Sequence, residues 1–311
     1  MQPDFGKLRS LQPLMRGVMR PKDIGTTPLT RDTNTDKAMG TIDSFRDFEH
    51  AGWSNGAVCS DYDRHFGAIT IQSAPALLDS ARVVDGSRVL DVCCGAGYAA
   101  GLAAERGADA IGVDFSQAQV ELAAERYPEV EFRQGDATSL GFDDQSFDCV
   151  VNGIGIPHFE DPDSAILEAF RVLRQGGRFA FSVYAKPDEA VGFGMIYGAV
   201  QAHGTMDIGL PSGPNFFLFS DPNESKRRLT TAGFQGIEFR IIAQTWRLSS
   251  PDELFAAVMN GSVRAAATLR GQEAGAMERI QSAVASALAE YRTGHEYRIP
   301  MPALVASAAR P

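Results

Sequence analysis

The sequence predicts an α/β fold: a doubly wound, seven-stranded and mostly parallel sheet with helices on both faces and helical insertions as lids. Three observations lead there. From about residue 65 short apolar stretches alternate with amphipathic helical ones. Glycine and proline mark the changes between them. The polar residues that interrupt the apolar stretches fall at their carboxyl ends, where ligands bind in sheets of this kind.

The elements follow in order. Residues 1–45, rich in Pro, Thr, Gly and basic side chains, have weak periodicity and read as a mobile extension. The remainder, 46–311, reads as one domain. "ITIQSAPALLDSARV" has helical apolar spacing and stops before Asp85-Gly86. "SRVLDVC" is a short buried strand and "YAAGLAAERG" an Ala-rich helix stopped by Gly107. "ADAIGVD" is a second strand. "SQAQVELAAERYP" is a helix with Ser116 at its cap and Pro128 beyond its end. "VEFRQGD" and "SFDCVVNG" are the third and fourth strands, "PDSAILEAFRVLRQGG" a helix closed by Gly176-Gly177, and "RFAFSVYA" the fifth strand. Later, "NESKRRLTTAGF" reads as a helix, "GIEFRIIAQTWRL" as one long strand and "EYRIPMPALVASAAR" as a last one. Two insertions, about 187–222 and 251–292, flank the sixth strand and are expected to be lids. The second would pack against the sheet edge or a second subunit, which makes a homo-oligomer an expectation.

Composition narrows the function. A formal charge of −10 gives no basic face with which to neutralise phosphates, so nucleic acid is not the expected partner. No apolar run is long enough to span a membrane, and the N-terminus lacks the apolar core of a secretory signal, so the expected compartment is the cytoplasm. The four cysteines, Cys59, Cys93, Cys94 and Cys149, are irregularly spaced. Adjacent Cys93 and Cys94 make a poor zinc pair and are expected to be small buried thiols. No metal site is expected.

The motifs lie where the strands end. Gly95-Ala96-Gly97-Tyr98-Ala99-Ala100 fits G-x-G-x-x-A, whose glycines allow a tight turn and close approach of a ligand to the backbone. Asp114 closes the second strand, placed to accept from ribose hydroxyls. A nicotinamide-dependent oxidoreductase fits this much. Asp91, inside the strand-to-loop turn, shifts the balance: its charge opposes a pyrophosphate but suits an ammonium group. Asp136, with the neighbouring N–H of Ala137, can read an adenine edge. Asn152 and Gly153 end the fourth strand. The set suits a ligand with an ammonium, a ribose and an adenine but no pyrophosphate. A non-catalytic binding module is the third alternative.

Residues 88–184 resemble the core of the class I S-adenosylmethionine-dependent methyltransferases, through "VLDVCCGAGYA", "IGVD", "GDATSLGFDDQSFDCVV" and "AFRVLRQGGRF". "DVCCGAG" and "NGIGI" are most similar to the ubiquinone/menaquinone methyltransferase branch, although Pro157-His158 stand where that branch carries an Arg-Asn pair. The resemblance implies S-adenosyl-L-methionine as cofactor and a small organic methyl acceptor, with oxygen or carbon favoured over nitrogen. It places Asp91, Cys93, Gly95 and Gly97 at the methionine end, and Asp114 and Phe115 at the ribose. Asp136 and Ala137 would meet the adenine, with Asn152 and Gly153 beside the transferred methyl. His158, just past the fourth-strand turn, is the candidate catalytic base. Tyr62, Phe216 and Phe217 are the candidate substrate contacts, since aromatic walls suit a planar or lipophilic acceptor.

Overall fold

The computed structural model describes residues 44–311; the extension expected over 1–45 lies outside these apart from Ser44 and Phe45. The main sheet is built from β1 (Arg88–Val92), β2 (Asp109–Asp114), β3 (Glu131–Gln134), β4 (Phe147–Gly153), β5 (Leu173–Tyr184), β6 (Gln235–Ile242) and β10 (Ala303–Ala309). Its order is β3-β2-β1-β4-β5-β10-β6. The first five strands run parallel, whereas β10 is antiparallel to both its neighbours, β5 and β6. The chain order reverses between β1 and β4, so the crevice for a ligand opens above those two strands.

Alternate residues of the strands face opposite layers, as a pleat with both faces covered requires. Val89, Val151, Ala180 and Val305 lie under α3 (Ala74–Ser80) and α4 (Tyr98–Glu105), sharing a core with Leu77, Leu78, Ala100 and Ala103. Their strand neighbours Leu90, Val150, Phe181 and Leu304 face the other way, onto Ile166 and Ala169 of α6 (Pro162–Val172) and Leu229 of α8 (Pro222–Thr231). The helix α5 (Gln117–Arg126) begins as expected, with Ser116 accepting from the Gln119 N–H.

Three boundaries differ from expectation. The helix α6 stops at Val172, and Leu173 already pairs beside Phe147; Arg174–Gly177 bulge out before Arg178 pairs with Cys149. The sixth and last strands, each expected to be continuous, are both broken. After β6 the chain turns at Ala243-Gln244 into β7 (Thr245–Leu248), and β9 (Glu296–Pro300) turns at Met301-Pro302 into β10. A Met301 N–H···O=C Gln244 bond of 2.9 Å ties the two turns together. The strands β7 and β9, with β8 (Arg292–Thr293), form a separate antiparallel sheet in the order β7-β9-β8.

That small sheet belongs to a second layer over the crevice. It shares a core with α2 (Gly56–Thr70), α7 (Val191–His203), α9 (Pro251–Gly261), α10 (Arg264–Arg270) and α11 (Ala274–Leu288). Phe66, Ile69, Phe193, Trp246, Leu254 and Ile280 are buried there. Residues of both insertions share this one core. Among the described residues no helix is long and apolar enough to cross a membrane.

Candidate active site

The Gly95–Gly97 turn sits at the end of β1, held by its neighbours. Gly97 takes φ +82°, and a Cβ there would lie 2.8 Å from the Phe132 ring, so both backbone angle and space require glycine. Cys93 adopts φ +60°, an uncommon angle for a residue with a side chain. The bare Cα of Gly155 accommodates it, since a Cβ on Gly155 would meet the Cys93 Cβ at 2.5 Å. The turn is tied to α2 by Asp63, which accepts from the Tyr98 hydroxyl at 2.6 Å and from Arg126 at 2.7 Å.

Each strand-end carboxylate holds nearby backbone in place. Asp91, 1% exposed, accepts from the Ala100 N–H at 3.0 Å through Oδ2 and so caps α4. Its Oδ1 is buried with no hydrogen-bond partner among the described residues. Burial pushes Asp91 up to about 7, the Ala100 N–H opposing the rise and Asp114 adding to it. Asp114 accepts from the Gly95 N–H and the Ser116 N–H, both at 2.9 Å. Burial raises its pKa against the pull of those two bonds. Asp136 closes a turn by accepting from the Thr138 N–H and hydroxyl, and pairs with Arg46 at 2.6 Å. Partial burial would raise its carboxyl, but Thr138 and the Arg46 guanidinium outweigh it and hold the pKa below the ordinary value.

Two hollows follow these groups. The outer cleft, about 290 Å³, is bounded by Asp114, Phe115, Asp136 and Ala137 on the strand side, and by Glu49, His50 and His158 opposite. The inner cavity, about 30 Å³, holds roughly one water and is lined by Asp91, Gly153, Ser182 and Thr70. Cys93 borders both. Burial first, then the charges of Asp114 and Asp91, pushes its thiol well above the usual value, so it stays protonated and inert. Among the described residues no cluster of three or more His, Cys, Asp or Glu is placed to hold a metal ion.

The expected site residues separate into groups. Asp91, Cys93, Asp114, Phe115, Asp136, Ala137, Gly153 and His158 line one or both hollows, and Gly95 and Gly97 shape the turn between them. Asn152 does not line either. Its amide donates to the Val92 carbonyl at 2.8 Å and accepts from the Gly155 and Ile156 N–H groups, stitching the turn after β4 to the end of β1. Tyr62 lies in the second layer, stacked on Phe66 at 5.3 Å with its hydroxyl 3.3 Å from Thr70 Oγ1. Burial pushes that hydroxyl up to about 12. Phe216 packs edge-on against His158 at 5.6 Å and against Phe217 at 5.1 Å, so the aromatic wall meets the candidate base directly.

Sequence reasoning missed the residues of α1 (Phe45–Trp53), which crosses the cleft. It brings Arg46 to Asp136, His50 to within 5.0 Å of the Phe115 ring, and Glu49 to His158. The only available signal was Ser44, whose side chain caps the helix by accepting from the Asp47 N–H, a small cue beside the irregular stretch before it.

Comparison with known proteins agrees with this geometry. The family described as methyltransferase domain matches residues 90–181. A demethylmenaquinone methyltransferase of Renibacterium salmoninarum is 35% identical over 111 residues, 36% of this chain and 47% of that protein. The chain thus spans about half the length of the curated relatives it matches. Among solved structures, phosphoethanolamine N-methyltransferase 2 of Haemonchus contortus, in complex with S-adenosyl-L-methionine, aligns with a TM-score of 0.53. The alignment has 21% identity and covers 87% of this chain and 61% of that one. The cyclase SpnF aligns with a TM-score of 0.52 and 19% identity over 86% and 97% of the two chains. At these identities the structural likeness is one of fold.

Proposed function

We propose, on the premise that residues 90–181 are a methyltransferase domain of the class I fold, that this chain transfers a methyl group from S-adenosyl-L-methionine to a small, planar organic acceptor. The observation that carries the proposal is the unpartnered Oδ1 of Asp91, buried in a small cavity that meets the larger cleft at Cys93. A buried carboxylate oxygen left without a donor is costly. An ammonium group would satisfy it, and Asp114 and Asp136 stand in the cleft as acceptors for ribose hydroxyls and an adenine amino group. The residues present fit that cofactor.

When bound, S-adenosyl-L-methionine supplies an electrophilic methyl on a sulfonium. The protein binds and aligns the reactants. The Gly95–Gly97 turn offers bare backbone, and α1 covers the cleft from the side opposite the strands with Arg46, Glu49 and His50. Phe216 and Phe217, set edge-on to each other beside His158, offer apolar rings to the acceptor. His158 receives the acceptor's proton where one must leave. An oxygen or carbon acceptor on an aromatic ring suits those rings, and the quinone-related relatives support that substrate class.

Calorimetry with S-adenosylhomocysteine and with NAD tests the cofactor. S-adenosylhomocysteine is expected to bind and NAD not; binding of NAD alone would overturn the proposal. The substitution Asp114→Ala removes a carboxylate bonded to two N–H groups and available to ribose. It is expected to weaken S-adenosylhomocysteine by roughly 1.5–3 kcal/mol.

A further inference from the structure

A continuous chain of hydrogen bonds runs around the outer cleft, from the cofactor-side carboxylate to the candidate base. Asp114 accepts from the Ser116 N–H at 2.9 Å, and the Ser116 hydroxyl donates to the Trp53 carbonyl at 2.6 Å. The Cys59 thiol donates to that same carbonyl at 3.1 Å. The Trp53 indole N–H donates to Glu49 Oε2 at 3.0 Å, and the same oxygen lies 2.9 Å from His158 Nδ1. Glu49 is 4% exposed, and no feature of the sequence marked it.

From this geometry we infer that Glu49 is a positioning residue: it orients His158 and fixes its tautomer so that a bare Nε2 is presented to the cleft. The inference rests on the reading of His158 as the base. An ionised carboxylate only accepts, so the nitrogen 2.9 Å from it carries the hydrogen. The neutral ring then has its lone pair on Nε2, which has no hydrogen-bond partner among the described residues. The ring is held sideways by Trp53 at 5.2 Å and Phe216 at 5.6 Å, both edge-on. A flip of the ring would carry Nδ1 away from Glu49 and break that contact.

The proton balance is simple. An acceptor O–H or C–H proton passes to Nε2, leaving its electron pair on the oxygen or carbon. The resulting imidazolium faces the Glu49 carboxylate through Nδ1–H. Asp114, on β2, also faces the ring, while Cys93 at the end of β1 is protonated. Glu160, on the segment of His158 itself, lies at the cleft mouth. Among the described residues only Glu49 hydrogen-bonds the ring, at Nδ1. The arrangement has the logic of a carboxylate-oriented imidazole, in which the acid sets tautomer and angle and does not itself take the proton.

The test is long-range 1H–15N NMR of ring-labelled histidine in the complex with S-adenosylhomocysteine, at a pH where the ring is neutral. The five histidines of the chain are distinguished by the signal lost in His158→Ala. In the unaltered protein His158 is expected to show protonated Nδ1 and unprotonated Nε2. Glu49→Ala is expected to lose that pattern for the Nε2–H form that free imidazoles favour. Glu49→Gln, whose amide oxygen can still accept from Nδ1, is expected to retain it. A Nε2–H tautomer in the unaltered protein, or an Nδ1–H tautomer surviving in Glu49→Ala, would overturn the inference. Failure of S-adenosylhomocysteine to bind at all would instead overturn the cofactor assignment. Should Glu49→Ala fail to fold, the tautomer of the unaltered protein and of Glu49→Gln still decides the matter.

Discussion

The two walls of the cleft are made by different means. The strand wall is polar and local: Asp91, Asp114 and Asp136 each cap a turn or helix within a few residues of their own strand, or on the strand beside it. The opposite side is assembled from distant parts of the chain: Glu49, His50 and His158 face the cleft, and an apolar packing of rings backs them. Trp53, Phe66, Phe193, Phe216 and Trp246 pack there from five separate segments, linked through Tyr62 and His158. The first wall is set by backbone geometry and exists before any ligand arrives. The second is set by the packing of rings against one another. A cofactor shared by many enzymes calls for the first kind of wall, and a particular acceptor for the second.

The largest expected effect comes from the least satisfied atom of the polar wall. Asp91 sits at about 7 in the folded protein, raised by burial from an ordinary 3.8. Below both values the group is protonated folded and unfolded alike, and it costs nothing. As pH rises from about 4 to about 7 the unfolded chain ionises first, so folding loses stability; above the folded value the loss is constant. The substitution Asp91→Asn can still accept from the Ala100 N–H but has no charge to bury. Thermal melts of the unliganded protein should therefore show it more stable than the parent at pH 8, by on the order of 3 kcal/mol, with the difference vanishing as pH falls below about 3. Its affinity for S-adenosylhomocysteine should fall. In the parent that affinity should strengthen as pH rises through 7, because only the ionised carboxylate pairs with an ammonium. A substitution that destabilises at pH 8 would mean that Asp91 is already satisfied, and the contrast between the walls would fail at its sharpest point.

The same contrast explains what could be read in the sequence. The polar wall was legible because glycine spacing and strand-end carboxylates are local signals: Gly95, Gly97, Asp91, Asp114 and Asp136 stand where the alternation put them. Asn152 was placed at the correct strand end, but its side chain turned to the backbone instead, since an unpaired turn beside a buried strand needs its donors and acceptors filled. The apolar wall was not legible in its arrangement. Apolar alternation shifts phase at Ile241-Ile242 and gives way to a continuous apolar run at Ala303–Ala306, but it is the pairing across the chain, at Gln244 and Met301, that fixes where each strand changes sheet. "RQGG" carries a helix-closing pattern, yet pairing of Leu173 beside Phe147 ends the helix earlier. Nothing periodic marks Glu49, because its partner His158 is 109 residues away.

A smaller effect separates the walls mechanically. Phe216 is half-buried, with edge-on contacts to His158, Phe193 and Phe217. Phe216→Ala removes those contacts but touches no strand-end carboxylate. Chemical denaturation should show a loss of about 1–2 kcal/mol, less than for a fully buried ring. Calorimetry should find S-adenosylhomocysteine affinity unchanged. A tenfold loss of that affinity would show that the aromatic wall also shapes the cofactor site, and that the two walls are one structure.

The smallest effect concerns the ion pair between α1 and Asp136. Arg46 of α1 reaches Asp136 at 2.6 Å, but the side chains are 65% and 39% exposed, so solvent and salt screen the pair heavily. Arg46→Ala should change stability by less than about 1 kcal/mol. Its informative consequence lies in binding. Arg46 holds the oxygen of Asp136 that is not already taken by Thr138, the one free to meet an adenine amino group. Binding must therefore displace the guanidinium or share the carboxylate with it. Stopped-flow association of S-adenosylhomocysteine should be faster in Arg46→Ala than in the parent at low salt, and equally fast at high salt, where the pair is already loosened. Slower association would give Arg46 the opposite role, a side chain that settles onto the bound nucleoside, and the polar wall would then extend onto α1.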